Sequence, residues 1–306
     1  MEMRISIILN VRSRALVGLV VAAVVGSSAC GAPPAAARAD VVTTTPLIRS
    51  LVERIVGQRL SVRSLTAPAA DPHELELTPR NLVLLGRARL VVRNGAGLEQ
   101  WFDSGWHAAS PRGRLVDASV GVQLRSLEGE TDPHIWQNPR NVTAMATTIA
   151  AGLRAVDPDG AAVYDTNLAA LAQELDALDS ELDATYHGLV SRKLVTNHDA
   201  FGYLADRFGL TVVGSVLPSF NTQAELSASD VQRLVGKIRS EGVRVVFSDA
   251  RVPAKAARAL ADEAGVAVVA GDGSLYGDGL GPAGSDAADY VSMMRHNARV
   301  IVEGLR

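Results

Sequence analysis

The sequence predicts an α/β protein: two pseudo-duplicated α/β lobes, each with a mainly parallel sheet, joined by one long helix. Three observations predict it. Short β-branched runs alternate with helical stretches across short connections, first over 41–119 and again over 193–304, which is the rhythm of β-α-β units. Between these stretches, 138–190 carries an almost unbroken helical pattern. The two alternating stretches also open alike: "VVTTTPLIRSLVERIVG" and "KLVTNHDAFGYLADRFG" each read as strand, polar hinge, helix and glycine.

The elements follow in order. "VVTTT" (41–45) is a strand; "PLIRSLVERIVG" (46–57) is a helix with proline in its first turn and glycine at its stop. "RLSVRSL" (59–65) is a strand, and 78–88 is a helix with Thr78 as N-cap and Pro79 at its first position. Strands follow at 89–95 and 114–119. "NPRNVTAMATTIAAGLRAV" is one helix, broken by "DPDG" before a second that runs from about Ala161 to Val190. Leu168, Leu171, Leu175, Leu178 and Leu182 step by three and four along it and share one stripe. Such a helix spans about 45 Å at about 1.5 Å per residue, the length of a strut between two halves. Strands at 193–197, 210–216, 243–250 and 266–272 then alternate with helices at 199–209, 227–242 and 253–265, and a final helix covers 285–304.

Composition narrows the function. The chain has 306 residues, a formal charge of −3 and 4% aromatic residues, so neither a basic surface nor stacking platforms favour nucleic acid. Arg4, Arg12 and Arg14 precede the apolar run "ALVGLVVAAVVG" (15–26), which is shorter than the roughly 20 residues of a membrane-spanning helix and fits a secretory signal. "SSACG" follows, with Cys30, the single cysteine, at the place where a lipoprotein signal is cut and the thiol acylated. Ser27 stands where that signal usually has an aliphatic residue, and "ARA" (37–39) offers an alternative cut that would release the chain. The expected organisation is a signal over 1–30 ending at acylated Cys30, a tether over 31–39, an N-terminal lobe over 40–157, a linking helix over 158–190 and a C-terminal lobe over 191–306. With one cysteine no disulfide forms within the chain, so an apolar core must hold the fold.

Ligands of open α/β sheets bind outside the carboxyl ends of the strands. Four candidates sit there: His73 after strand 59–65, His134 after 114–119, His198 at the end of 193–197, and Asp278 after 266–272. Both His73 and His134 belong to an Asp-Pro-His tripeptide, whose proline fixes the backbone before the imidazole. Three imidazoles and a carboxylate, two from each half, suit a borderline divalent metal such as Zn²⁺ if the strand ends face each other. His107, His187 and His296 have no such context and read as surface or packing residues, and Trp136 is placed to wall the site.

"DPHELELTP", "DPHIWQNP", "NHDAFGYLADRFGL", "EGVRVVFSDARVPAKAARALADEAGV" and "LYGDGLG" together resemble the zinc/manganese solute-binding lipoproteins of ABC importers, over about residues 40 to 306. The resemblance implies two α/β lobes joined by a long helix, with the metal between them on His73, His134, His198 and Asp278. It implies Zn²⁺ as the transported ligand, with Mn²⁺ as the alternative, since manganese members often carry glutamate at the position of His198. It further implies an ABC permease as partner, a lipid anchor on the outer face of the cell membrane, a monomer and no catalytic activity. Two departures stand out: "SVGVQLRSLEGE" (119–130) lacks the histidine-rich loop of many zinc members, and Asp249 stands where the family often has glutamate. Two other classes fit parts of the pattern. A surface adhesin or scaffold would also use the anchor. A zinc hydrolase would need an open coordination position, which four protein ligands close.

Overall fold

Thr-Pro, Thr-Pro and Asn-Pro open three helices of the first half, and each pair works the same way. The first residue's side chain accepts a backbone N–H of the first turn, while the proline fills a position whose own N–H would have no partner. Thr45 accepts from the Ile48 N–H, Thr78 from Asn81 and Asn138 from Arg140. The computed structural model describes residues 39–306 except 69, 128, 218, 221 and 223–226. The expected signal, Cys30 and residues 31–38 of the tether lie outside the described residues.

In chain order the first half holds β1 (Val41–Thr43), α1 (Pro46–Val56), β2 (Val62–Ser64), α2 (Pro79–Arg87), β3 (Leu90–Arg93), α3 (Phe102–Ala109) and β4 (Arg114–Asp117). A hairpin of β5 (Ser126–Leu127) and β6 (Glu130–Thr131) precedes α4 (Pro139–Val156) and the long α5 (Ala161–His187). The second half holds β7 (Lys193–His198), α6 (Gly202–Phe208), β8 (Thr211–Leu217), α7 (Ala228–Ser240), β9 (Val245–Phe247), α8 (Lys255–Ala264), β10 (Ala267–Val269) and α9 (Tyr290–Leu305).

Two parallel four-stranded sheets result, ordered β2-β1-β3-β4 and β10-β9-β7-β8. They have one topology. In each, the second strand flanks the first on one side, the third flanks it on the other, and the fourth lies beyond the third. The predicted duplication is therefore a duplication of winding.

The leucine stripe of α5 faces inward as its spacing requires. Leu171, Leu175, Leu178 and Leu182 are each at most 2% exposed, and burial of each contributes roughly 1.5–3 kcal/mol. They join one apolar cluster that includes Ile48 and Ile55 of α1, Ile149 of α4, Phe247 of β9, and Met293 and Ile301 of α9. The halves thus share a core along the strut, and smaller clusters lie beyond it, one in each half. Among the described residues no helix is long and apolar enough to cross a membrane.

Several expectations shift. Helix α5 ends at His187, short of 190, because Gly188 follows and the Arg192 guanidinium caps the His187 carbonyl at 3.0 Å. Helix α9 begins at Tyr290, not 285, where Asp289 and Ser292 form a reciprocal cap. Helix α3 and the hairpin were not expected. "FDSGWHAA" is a poor helix former, and it packs so closely that a Cβ on Gly105 would lie 1.9 Å from Leu77 Cδ1.

Candidate metal centre

Each Asp-Pro-His is a built turn. The Asp71 carboxylate accepts the His73 backbone N–H at 2.8 Å, and Asp132 accepts that of His134 at 3.0 Å. An aspartate bonding the backbone two residues on is the Asx turn, so the aspartate holds the histidine as firmly as the proline does. Asp132 does more: it also accepts from His134 Nδ1 at 2.8 Å. That contact leaves the lone pair of Nε2 facing the centre. The Asp132 carboxylate is fully buried and pairs with Arg125 Nη1 at 2.8 Å.

His198 is the last residue of β7, and its carbonyl accepts the Thr196 hydroxyl at 2.7 Å. Asp278 lies in the loop after β10, next to a tightly held glycine. The Gly277 N–H donates to Asp249 Oδ2 at 2.5 Å, while its carbonyl accepts from Trp136 Nε1 at 2.9 Å and Gln137 Nε2 at 2.8 Å. A Cβ at Gly277 would lie 2.4 Å from Asp249 Oδ2, so only glycine fits there. Asp249 thereby acts on the loop of Asp278.

All four candidates are buried, and one ligand atom from each lies within 4.8 Å of every other. His134 Nε2 and His198 Nε2 are 3.1 Å apart. Asp278 Oδ1 is 3.0 Å from His134 Nε2 and 3.6 Å from His73 Nε2, and Asp278 Oδ2 is 3.1 Å from His198 Nε2. A tetrahedron of donors at about 2.0–2.1 Å from a zinc ion has edges of about 3.3 Å, so these spacings match one coordination sphere. His73 Nε2 and both Asp278 oxygens have no other hydrogen-bond partner, and a buried polar atom without a partner calls for a ligand. Trp136 lines the site as expected, its ring centroid 5.4 Å from that of His134. His107 and His187 are exposed, while His296 is buried on the Ser274 carbonyl and Asp286.

The electrostatics follow from burial. Burial opposes charge on His134, but hydrogen bonds to Asp132 and Asp278 outweigh it and push the imidazole up to about 10. His198 is raised against its burial by the Asp278 charge. Asp278 itself, despite burial, is held well below the usual carboxylate range by His198 and His134. Burial and the neighbouring Asp278 charge push Asp249 up to about 6. The Asp278 charge thus favours the protonated forms of His134 and His198, and a bound cation would take the place of those protons.

Sequence reasoning missed what stands behind His134. Asn94 Nδ2 donates to the Pro133 carbonyl at 3.0 Å, and Glu99, fully within the fold, accepts from the Asn94 N–H at 2.7 Å and the Thr44 hydroxyl at 2.6 Å. The visible signal was "NGAGLE", a polar, glycine-rich turn directly at the carboxyl end of β3.

The chain is similar to known metal-binding proteins. A family model described as ZnuA, zinc-uptake complex component A, periplasmic, matches residues 41–304. The zinc-binding protein TroA of Treponema pallidum (strain Nichols) is 33% identical over 275 residues, covering 87% of this chain and 88% of TroA. The manganese ABC transporter substrate-binding lipoprotein PsaA of Streptococcus pneumoniae is 28% identical over 278 residues, covering 87% of this chain and 88% of PsaA. Among solved structures, the periplasmic zinc-binding protein TroA from Treponema pallidum superposes with a TM-score of 0.82 and 29% identity, over 88% of this chain and 99% of that one.

Proposed function

Because this chain belongs to the zinc-uptake complex component A family, whose members are substrate-binding components of metal ABC transporters and not enzymes, we propose that it captures Zn²⁺ outside the cytoplasmic membrane and delivers it to an ABC permease. His73, His134, His198 and Asp278 hold the ion between the lobes 40–157 and 191–306. The observation that carries this reading is the convergence of four buried ligand atoms, two from each half, within 4.8 Å. Three imidazole nitrogens and one carboxylate oxygen as the donor set favour Zn²⁺; Mn²⁺, which suits oxygen-rich octahedral sites, is the second cargo. Acylated Cys30 tethers the monomer to the membrane.

The test is calorimetric titration of the chelator-stripped chain with Zn²⁺ and Mn²⁺, repeated from about pH 6 to about pH 8 in buffers of different ionisation enthalpy. One ion binds per chain, with Zn²⁺ tighter than Mn²⁺. The pH dependence has a definite sign. His134, pushed up to about 10 by its hydrogen bonds to Asp132 and Asp278, carries a proton at neutral pH that the metal must displace, and the Asp278 charge shifts His198 in the same direction. Affinity therefore rises with pH and falls in acid, with protons released as the ion binds. An affinity indifferent to pH contradicts this account of the cluster, and failure of both ions to bind contradicts the function.

A further inference from the structure

The two histidine loops are fixed to the opposite half very differently. The segment of His134 is well tied: Tyr203 Oη donates to the Asp132 carbonyl at 3.1 Å, Tyr290 Oη to the Trp136 carbonyl at 2.8 Å, and Trp136 and Gln137 reach the Gly277 carbonyl. Among the described residues the His73 loop has less. Within its own half Trp101 Nε1 holds the Pro72 carbonyl at 3.0 Å. Across the cleft, among the described residues, the Thr222 hydroxyl donates to Asp71 Oδ2 at 2.5 Å, and one side chain grips the loop's backbone: Arg251 Nη1 donates to the Ala70 carbonyl at 2.9 Å.

The other nitrogen of that guanidinium, Nη2, donates to the Leu280 carbonyl at 2.7 Å, two residues past Asp278. A Cβ on Gly279 would come within 2.9 Å of Nη2, so the glycine leaves room for the fork to lie against this loop. The Arg251 backbone N–H is anchored separately, on Asp249 Oδ1 at 2.7 Å. One rigid, planar cation therefore spans the loop of His73 and the loop of Asp278, which come from opposite halves. His73 is also the ligand set farthest back, 3.6 Å from Asp278 where the other imidazoles stand at 3.0 and 3.1 Å.

We propose that Arg251 is a positioning residue that clasps the His73 loop onto the Asp278 loop and so sets how long a bound metal ion is retained. It touches no ligand atom and acts only through the Ala70 and Leu280 carbonyls. The inference rests on the reading of the four residues as a metal site. Loss of charge-assisted hydrogen bonds of this kind corresponds to a change on the order of tenfold.

The experiment loads the wild-type chain, Arg251→Ala and Arg251→Lys with Zn²⁺, mixes each rapidly with excess chelator, and follows release. The same comparison is made by equilibrium competition in a His73→Ala background. The clasp predicts release about tenfold faster in Arg251→Ala and an intermediate rate in Arg251→Lys, whose single ammonium cannot span two carbonyls. It also predicts that Arg251→Ala costs no further affinity once His73 is gone, a coupling that general loosening of the fold would not produce. Wild-type release rates in Arg251→Ala, or an undiminished effect without His73, overturn the clasp while leaving the metal site standing. No Zn²⁺ binding by the wild type would sink the site reading, and the clasp with it.

Discussion

Replacing His134 with alanine is expected to weaken Zn²⁺ binding on the order of a thousandfold, the largest effect of any single substitution in the chain. The change removes the imidazole closest to the carboxylate of Asp278, at 3.0 Å, and opens a gap in a site with no exposure at that side chain. It also strips Asp132 of its Nδ1 partner. Competition against a fluorescent chelator measures the loss, and retention of affinity within about threefold of wild type removes His134 from the site. Circular dichroism separates this from unfolding, because the helical frame around the site is held by the shared apolar core and not by the imidazole.

Asp132→Ala is expected to have the next largest effect, though Asp132 touches no metal. Partners that orient a ligating histidine are typically worth 10–100-fold in affinity, and a loss in that range is expected here. The fold suffers as well. The carboxylate accepts from His134 Nδ1 and pairs with Arg125, and its removal strands both. Arg125 keeps Asp206 and is partly exposed, so the stability cost is roughly 2–3 kcal/mol, less than for a wholly buried pair. Burial alone would raise the Asp132 carboxylate, but hydrogen bonds from His134 and Arg125 outweigh it and hold it below its usual range. The contribution of the pair is therefore present at neutral pH and lost as pH falls through that depressed value. Metal titration and chemical denaturation of Asp132→Ala at neutral pH check both effects; wild-type affinity in a stable variant would show that the carboxylate orients nothing.

The strands, the strut and the four convergent residues could be read from sequence because each rests on local rules. A β-branched run marks β1, the leucine steps mark α5, and Asp-Pro-His marks two rigid turns. What could not be read depends on partners distant in sequence. Helix α3 exists because Gly105 lets it seat on Leu77, against its own propensity. The start of α9 was misplaced because the cap at Asp289, not apolar content, sets it. Glu99 carries no local signal of burial, yet the fold buries it beneath Asn94 and so behind His134. Arg251 takes its place from the Ala70 and Leu280 carbonyls on either side of it, both distant in sequence. The duplication hides a further asymmetry. His134 and Asp278 follow equivalent strands, β4 and β10, whereas His73 follows β2 and His198 ends β7, so the windings match but the ligand positions do not.

X-ray absorption at the zinc edge of the loaded chain tests the central claim most directly, since it reads the donors themselves. The account predicts nitrogen and oxygen neighbours at about 2.0–2.1 Å in fourfold coordination, with the multiple-scattering signature of three imidazoles. A sphere dominated by water oxygens, one with fewer than three imidazoles, or a sulfur neighbour near 2.3 Å would contradict it.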